Sequence, residues 1–271
     1  MLGQAFVRLL EKKEWPYACW DREELDITNA GQVTERILAW KPELVINTAA
    51  YNAVDKAEDE SDIAMILNGT AVGYLRDATA QCGAIFVHYS TDYVFDGENK
   101  NGYREDAIPT PVSVYGKSKR AGEIATTQSS GRWYLIRTSR LFGAPGVSEG
   151  SKKSFPALMI AIAREKGKIA AIDAEVSSPT FVDDLARATL EIVEARLPSG
   201  MYHRTNSGSC TWYEYAQAAL LAAHVEVPAQ AVGPDAFPRK AERPAHSVLV
   251  STKLPAMRPW QEALDEFLKK D

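Results

Sequence analysis

No uninterrupted apolar run in this chain approaches the roughly 18 residues that a membrane-crossing helix requires, and no apolar stretch opens it. Neither a membrane anchor nor a secretory leader is therefore expected. Cysteine is scarce: Cys19, Cys82 and Cys210 lie far apart without CxxC spacing and read as reduced thiols, which points to the cytoplasm. Histidine is as sparse. His88, His203, His224 and His246 are dispersed among the acids with no metal-ligand spacing, so no metal is expected. Positive charge is not in excess either: 31 Lys and Arg against 36 Asp and Glu leave a formal net charge of -5, which argues against a nucleic-acid partner.

With 45% hydrophobic residues, 271 residues suffice for a large core in one large or two unequal domains. Residues 3–10 carry a helical apolar pattern and 17–20 a short apolar run, read as helix then strand. Residues 33–40 look helical, Pro42 ends them, and 44–50 read as a buried strand of the parallel type. A long helical pattern over 62–82 precedes a strand over 84–90; a helix over 114–127 precedes a strand over 133–138. Alternating strands and helices imply a doubly wound α/β sheet with a Rossmann-like plan. Residues 1–142 are expected to form the dinucleotide-binding domain. Residues 143–271 are expected to be mainly a smaller substrate-binding region, with helices near 155–166, 182–195, 212–223 and 260–269 and some segments returning to the first domain.

Tyr115 and Lys119 stand four residues apart on the helix over 114–127, so phenol and ammonium share a face. Thr91 follows a strand, and open α/β sheets bind ligands beyond their strands' carboxyl ends. A ketone reduction needs a hydride from a cofactor and a proton for the developing alkoxide. Tyr115 supplies the proton in this reading, a nearby Lys119 ammonium favours the phenolate, and Thr91 bonds the substrate oxygen. This is the equipment of a carbonyl reductase. Lys117, two positions from the tyrosine, turns away from it.

The run Ser90 to Gly97, the block Ala53-Val54-Asp55-Lys56-Ala57-Glu58, Tyr115 to Glu123, Ser178-Pro179-Thr180, Gly200 to His203, Thr211 to Ala216 and Arg243-Pro244 with Ser247 together resemble the dTDP-4-dehydrorhamnose reductase family of the extended short-chain dehydrogenase/reductases, end to end. The resemblance implies reduction of the 4-keto group of a nucleotide-linked 6-deoxysugar by NADP or NAD, with NADPH favoured. It implies a Thr91–Tyr115–Lys119 triad with Tyr115 as proton donor. Ala49, Ala50 and Tyr51 would lie beside the cofactor ribose and phosphates, and Asp26 and Ile27 beside the adenine. Asp21 would accept from the 2′-hydroxyl of NAD, whereas Arg22 would favour the 2′-phosphate of NADP; having both, the sequence leaves the choice open. Val54, Asp92 and Tyr93 would line the sugar. Some members of the family dimerise, so a homodimer stays open.

Family members open with a strand and a GxxGxxG turn, and Met1-Leu2-Gly3-Gln4 looks like the tail of that motif, with Gly3 its last glycine. About a dozen further residues are expected upstream, and the chain as written is expected to be less stable and to bind dinucleotide poorly. On the substrate side, Arg140 stands where the family usually has Trp, and Ser154-Phe155 where it has Asn-Phe; Arg140 could meet a phosphate, a carboxylated sugar or solvent. Two other readings resemble the same superfamily: a noncatalytic regulatory subunit like the beta subunit of methionine adenosyltransferase, and a nucleotide-sugar epimerase.

Overall fold

The computed structural model describes residues 1–146 and 153–269. Leu2, Ala5 and Phe6 recur at helical spacing and give α1 (Leu2–Lys12) one buried face. Val33 and Ile37, one turn apart, do the same for α2 (Ala30–Trp40), where Asn29 caps the first turn by accepting from the Gln32 N–H. Next come β1 (Leu44–Asn47), the short helices α3 (Val54–Ala57) and α4 (Ser61–Met65), a π-helical turn at Ile66–Thr70, and α5 (Ala71–Gln81). The long helix expected over 62–82 is thus present, but a π turn interrupts its hydrogen-bond ladder. β2 (Ile85–Thr91), a 3-10 turn at Asp92–Val94, α6 (Val114–Thr127), β3 (Trp133–Thr138) and β4 (Leu141–Phe142) follow. The remainder is α7 (Phe155–Lys166), β5 (Ile169–Ile172), β6 (Val176–Ser177), β7 (Thr180–Phe181), α8 (Val182–Glu194), β8 (Gly200–His203), β9 (Cys210–Thr211), α9 (Trp212–Ala222), β10 (Ala229–Val232) and α10 (Trp260–Lys269).

The main sheet runs β1-β2-β3-β8, all parallel, with Asn47 opposite His88 and Thr91 opposite Thr138. Side chains alternate across β2. Val87 and Tyr89 join Leu2, Phe6, Leu185 and Tyr202 under α1 and α8, while Phe86 joins Val33, Ile37, Val72 and Leu75 under α2 and α5. Helices on both faces of a parallel sheet make this a Rossmann-like α/β fold. A separate apolar cluster of Phe142, Met159, Phe181, Tyr215, Trp260 and Phe267 lies under α7, α9 and α10, beside the paired strands β5 and β10.

Two local expectations need correction. Residues 17–20 form no strand: no other strand lies alongside among the described residues, and an apolar run without a partner for its ladder stays irregular. The strand expected over 44–50 ends at Asn47, and Leu44, Val45 and Ile46 are only half-buried because β1 lies at the edge of the sheet.

The C-terminal segment crosses back over the loop that follows β2. The His246 N–H donates to the Gly97 carbonyl (3.0 Å), the Tyr103 N–H to Val248 (2.8 Å) and the Val250 N–H to Tyr103 (2.8 Å). Arg243 holds Asp55 through its two terminal guanidinium nitrogens, at 3.0 and 2.6 Å.

Candidate active site

Thr91 is the last residue of β2, where the chain turns from the sheet into the 3-10 turn, and its side chain accepts from the Tyr93 N–H at 3.2 Å. Ser113 caps α6 by accepting from the Gly116 N–H (3.1 Å), which starts the helix one residue before Tyr115. Gly116 is required by contact: a Cβ there would collide with the Tyr93 carbonyl, so only glycine lets α6 press against the 3-10 turn. The result brings Thr91, Tyr115 and Lys119 together, each buried.

The Tyr115 phenol donates weakly to Asn52 Oδ1 (3.4 Å), and its ring meets Tyr93 edge-on with centroids 5.8 Å apart. Burial pushes its pKa above the ordinary tyrosine value, and the charge of Asp92 adds to the rise. Desolvation thus dominates here, where the sequence alone suggested a phenol pulled down by its lysine. Tyr115 is consequently a protonated acid at neutral pH. Lys119 Nζ donates to the Tyr89 carbonyl at 2.6 Å, and burial pushes its pKa down to about 8 while Glu123 partly holds it up. Below Lys119, Glu123 grips Arg137 through two bonds (2.6 and 2.9 Å), both side chains buried.

The other residues singled out from sequence scatter around this centre. Gly3 lies in the first turn of α1, beside Thr48, just past β1. Ala49 is exposed and Ala50 half-buried on the irregular stretch after β1. Tyr51 donates to Glu60 (2.6 Å), and that carboxylate pushes its pKa to about 12. Asp21 and Arg22 are exposed in the connection between α1 and α2, with Asp21 accepting from the Glu23 N–H (2.9 Å). Asp26 turns the same connection by accepting from Thr28 N–H (2.9 Å), and Ile27 is half-buried. Val54 packs with Tyr115 and Tyr93. Asp92 is only 3% exposed and lies under the site, its carboxylate occupied by hydroxyls. Arg140 donates to the Cys210 and Glu175 carbonyls (2.7 and 2.8 Å) and stacks over Trp212 at 4.0 Å, so its guanidinium braces the aromatic wall from behind.

Sequence reasoning did not single out Asn68. It is fully buried in the π turn and bonds both backbone groups of Tyr51, accepting from its N–H (2.8 Å) and donating to its carbonyl (3.0 Å), while also donating to Ser118 on α6 (2.9 Å). Asn52 was not chosen either. An asparagine in a helical stretch carries no signal beyond poor helix propensity, which is the trace that could have pointed to Asn68. A cavity of about 270 Å³ opens beside the site, lined by Tyr93, Phe155, Met159, Trp212, Arg239 and Arg243. Among the described residues, no group of three or more His, Cys, Asp or Glu could hold a metal ion, and no helix is long and apolar enough to cross a membrane.

The family described as the RmlD substrate binding domain matches residues 1–271. The spore coat polysaccharide biosynthesis protein SpsK of Bacillus subtilis is 33% identical over 99% of this chain and 94% of its own length. A dTDP-4-dehydrorhamnose reductase of Streptomyces griseus is 35% identical over 98% of this chain and 89% of its own. Among solved structures, dTDP-4-dehydrorhamnose reductase from Bacillus anthracis in complex with NADP superposes with a TM-score of 0.94 at 32% identity, covering 100% of this chain and 95% of that one.

Proposed function

Because the chain belongs to the RmlD substrate binding domain family, that of the dTDP-4-dehydrorhamnose reductases, and is an NAD(P)-dependent oxidoreductase, we propose that it reduces the 4-keto group of a dTDP-linked 6-deoxyhexose with NADPH, Tyr115 giving the proton. The convergence of Thr91, Tyr115 and Lys119 at the carboxyl end of β2 carries this reading.

The side chains present suit a dinucleotide. Lys119 spends one of its three donors on Tyr89, which leaves two for ribose hydroxyls. The first turn of α1 has no side-chain cap, and its Gly3 stands where a Cβ would lie 3.1 Å from Thr48 Oγ1, so bare N–H groups border the end of β1 and suit a pyrophosphate. Asp26 and Ile27 would flank the adenine, and Asp21 or Arg22 the ribose. When bound, the cofactor supplies the hydride. Tyr115, kept protonated by burial, supplies the proton to the developing alkoxide, and the Lys119 ammonium stabilises the phenolate that remains. In the cavity, Phe155 and Trp212 offer rings to a pyrimidine base. Arg239 and Arg243, held by Glu175 (2.6 Å) and Asp55 (2.6 Å), offer charge to the diphosphate.

The test is NADPH consumption with dTDP-4-dehydro-L-rhamnose, followed by absorbance. At saturating NADPH, which offsets the weak dinucleotide binding expected from the sequence, wild-type protein is expected to turn over, and Tyr115→Phe to lose about 10²–10⁴-fold in kcat with NADPH affinity equal to that of the wild type. Turnover by Tyr115→Phe at the wild-type rate removes Tyr115 as donor, and a wild type that binds NADPH without consuming it removes the reductase reading.

A further inference from the structure

Asp92 has a place in the site that its sequence position does not reveal. Its Oδ1 accepts from Thr91 Oγ1 at 3.0 Å, and its Oδ2 accepts from Ser177 Oγ at 2.9 Å and Ser247 Oγ at 2.5 Å. Ser139 is hydrogen-bonded in turn to Ser177. Three of these hydroxyls come from three separate stretches of chain: the end of β2, the strand β6, and the segment that crosses back from the C-terminal part. A buried carboxylate is costly unless hydrogen-bonded, and here three hydroxyls donate to it.

A threonine hydroxyl carries one proton. That of Thr91 goes to Asp92, and one lone pair is taken by the Tyr93 N–H. What the hydroxyl still presents to Tyr115 is a lone pair, in a single fixed orientation. We propose that Asp92 is a positioning residue for the reduction: it fixes the Thr91 hydroxyl, and through it the Tyr115 phenol, and it makes that register depend on Ser177 and Ser247 from the C-terminal part. In the resting site the one phenol proton has Asn52 Oδ1 and that Thr91 lone pair as acceptors, and a bound carbonyl takes it from them, so Thr91 aims the Tyr115 phenol without supplying the proton. The C-terminal part, whose Arg243 and Trp212 line the adjoining cavity, is thereby coupled to the acid.

This inference rests on the reductase reading, and steady-state kinetics with NADPH and dTDP-4-dehydro-L-rhamnose separate the two. Asp92→Ala is expected to lower kcat about 30–100-fold with both KM values within about threefold, a loss in orientation rather than in uniform binding. Asp92→Asn, whose amide oxygen can still accept from Thr91, is expected to recover most of that loss. Because Asp92 acts through Thr91, adding Asp92→Ala to Thr91→Val is expected to cost no more than about twofold further. Losses that multiply in the double variant, a raised KM with kcat kept, or an Asn variant no better than Ala each overturn the proposal. If Asp92→Ala does not fold, Ser247→Ala decides: it leaves the carboxylate two donors, and an unchanged kcat there overturns the proposal, whereas a several-fold fall at constant KM upholds it. A wild type without turnover takes away the reductase reading and this proposal together; a wild type that turns over beside indifferent Asp92 variants takes away this proposal alone.

Discussion

Burial brings the titration of Lys119, alone among the three central residues, toward neutral pH. Burial brings its folded-state pKa to about 8 against an ordinary 10.5, with Glu123 opposing the fall. Between those two values the unfolded chain holds the extra proton. The resulting penalty on the folded state is therefore complete below about pH 8 and fades as pH climbs toward 10.5. Catalysis follows the opposite course, because the ammonium form is the one that stabilises a phenolate. We expect kcat for reduction to fall as pH rises through about 8, and Lys119→Met to show a low kcat without that limb; a pH–rate profile of both proteins checks it. Of the residues at this scale, Thr91, Tyr115 and Lys119 were legible in the sequence because a helical interval of four and a strand end are patterns that sequence carries. Asn52, Asn68 and the two serines that donate to Asp92 were not, since each works across a long gap in the chain that no local spacing encodes.

At the scale of elements, α6 does the most. Tyr115, Lys119 and Glu123 follow one another at intervals of four on one face, so acid, ammonium and a counter-charge are stacked on a single rod. Glu123→Gln leaves Arg137 buried and poorly paired, and we expect it to cost about 3–5 kcal/mol in denaturant unfolding. The same change takes away the negative charge that props up Lys119, so the alkaline limb should move to lower pH. Gly116→Ala tests the contact between α6 and the 3-10 turn: overpacking there should cost roughly 1–3 kcal/mol and misplace Tyr115, lowering kcat more than stability alone would. The span of α6 was readable from its alternation of small, apolar and charged positions. The π turn before α5 was not, because a local change from i→i+4 to i→i+5 bonding leaves the apolar pattern on either side intact. Residues 17–20 failed for another reason: a strand is a property of two segments, and apolar β-formers supply only one.

At the scale of the molecule, the halves separated by sequence at residue 142 share hydrogen bonds that the boundary would cut. β8 completes the main sheet alongside β3, with Ile136 opposite Tyr202, and α8 covers the face that α1 begins. A fragment of residues 1–142 made alone is therefore expected to be aggregated or molten, and to recover native circular dichroism and NADPH binding only when 143–271 is co-expressed. Arg243→Ala, which releases Asp55 from the returning segment, is expected to lower Tm by about 2–6 °C and to raise KM for the sugar nucleotide. Calorimetry and initial rates check the two effects independently.

The parallel pairing of β3 with β8 also sets a schedule for synthesis. The ribosome delivers β3 well before its partner, and everything from β4 to the end of α8 must emerge while one edge of β3 stands open and the apolar side of Tyr134 and Ile136 waits for Leu185 and Tyr202. Nascent chains of this protein therefore pass through a long interval in which a hydrophobic strand edge is available to the wrong neighbour, and slower translation across residues 143–199 would lengthen it.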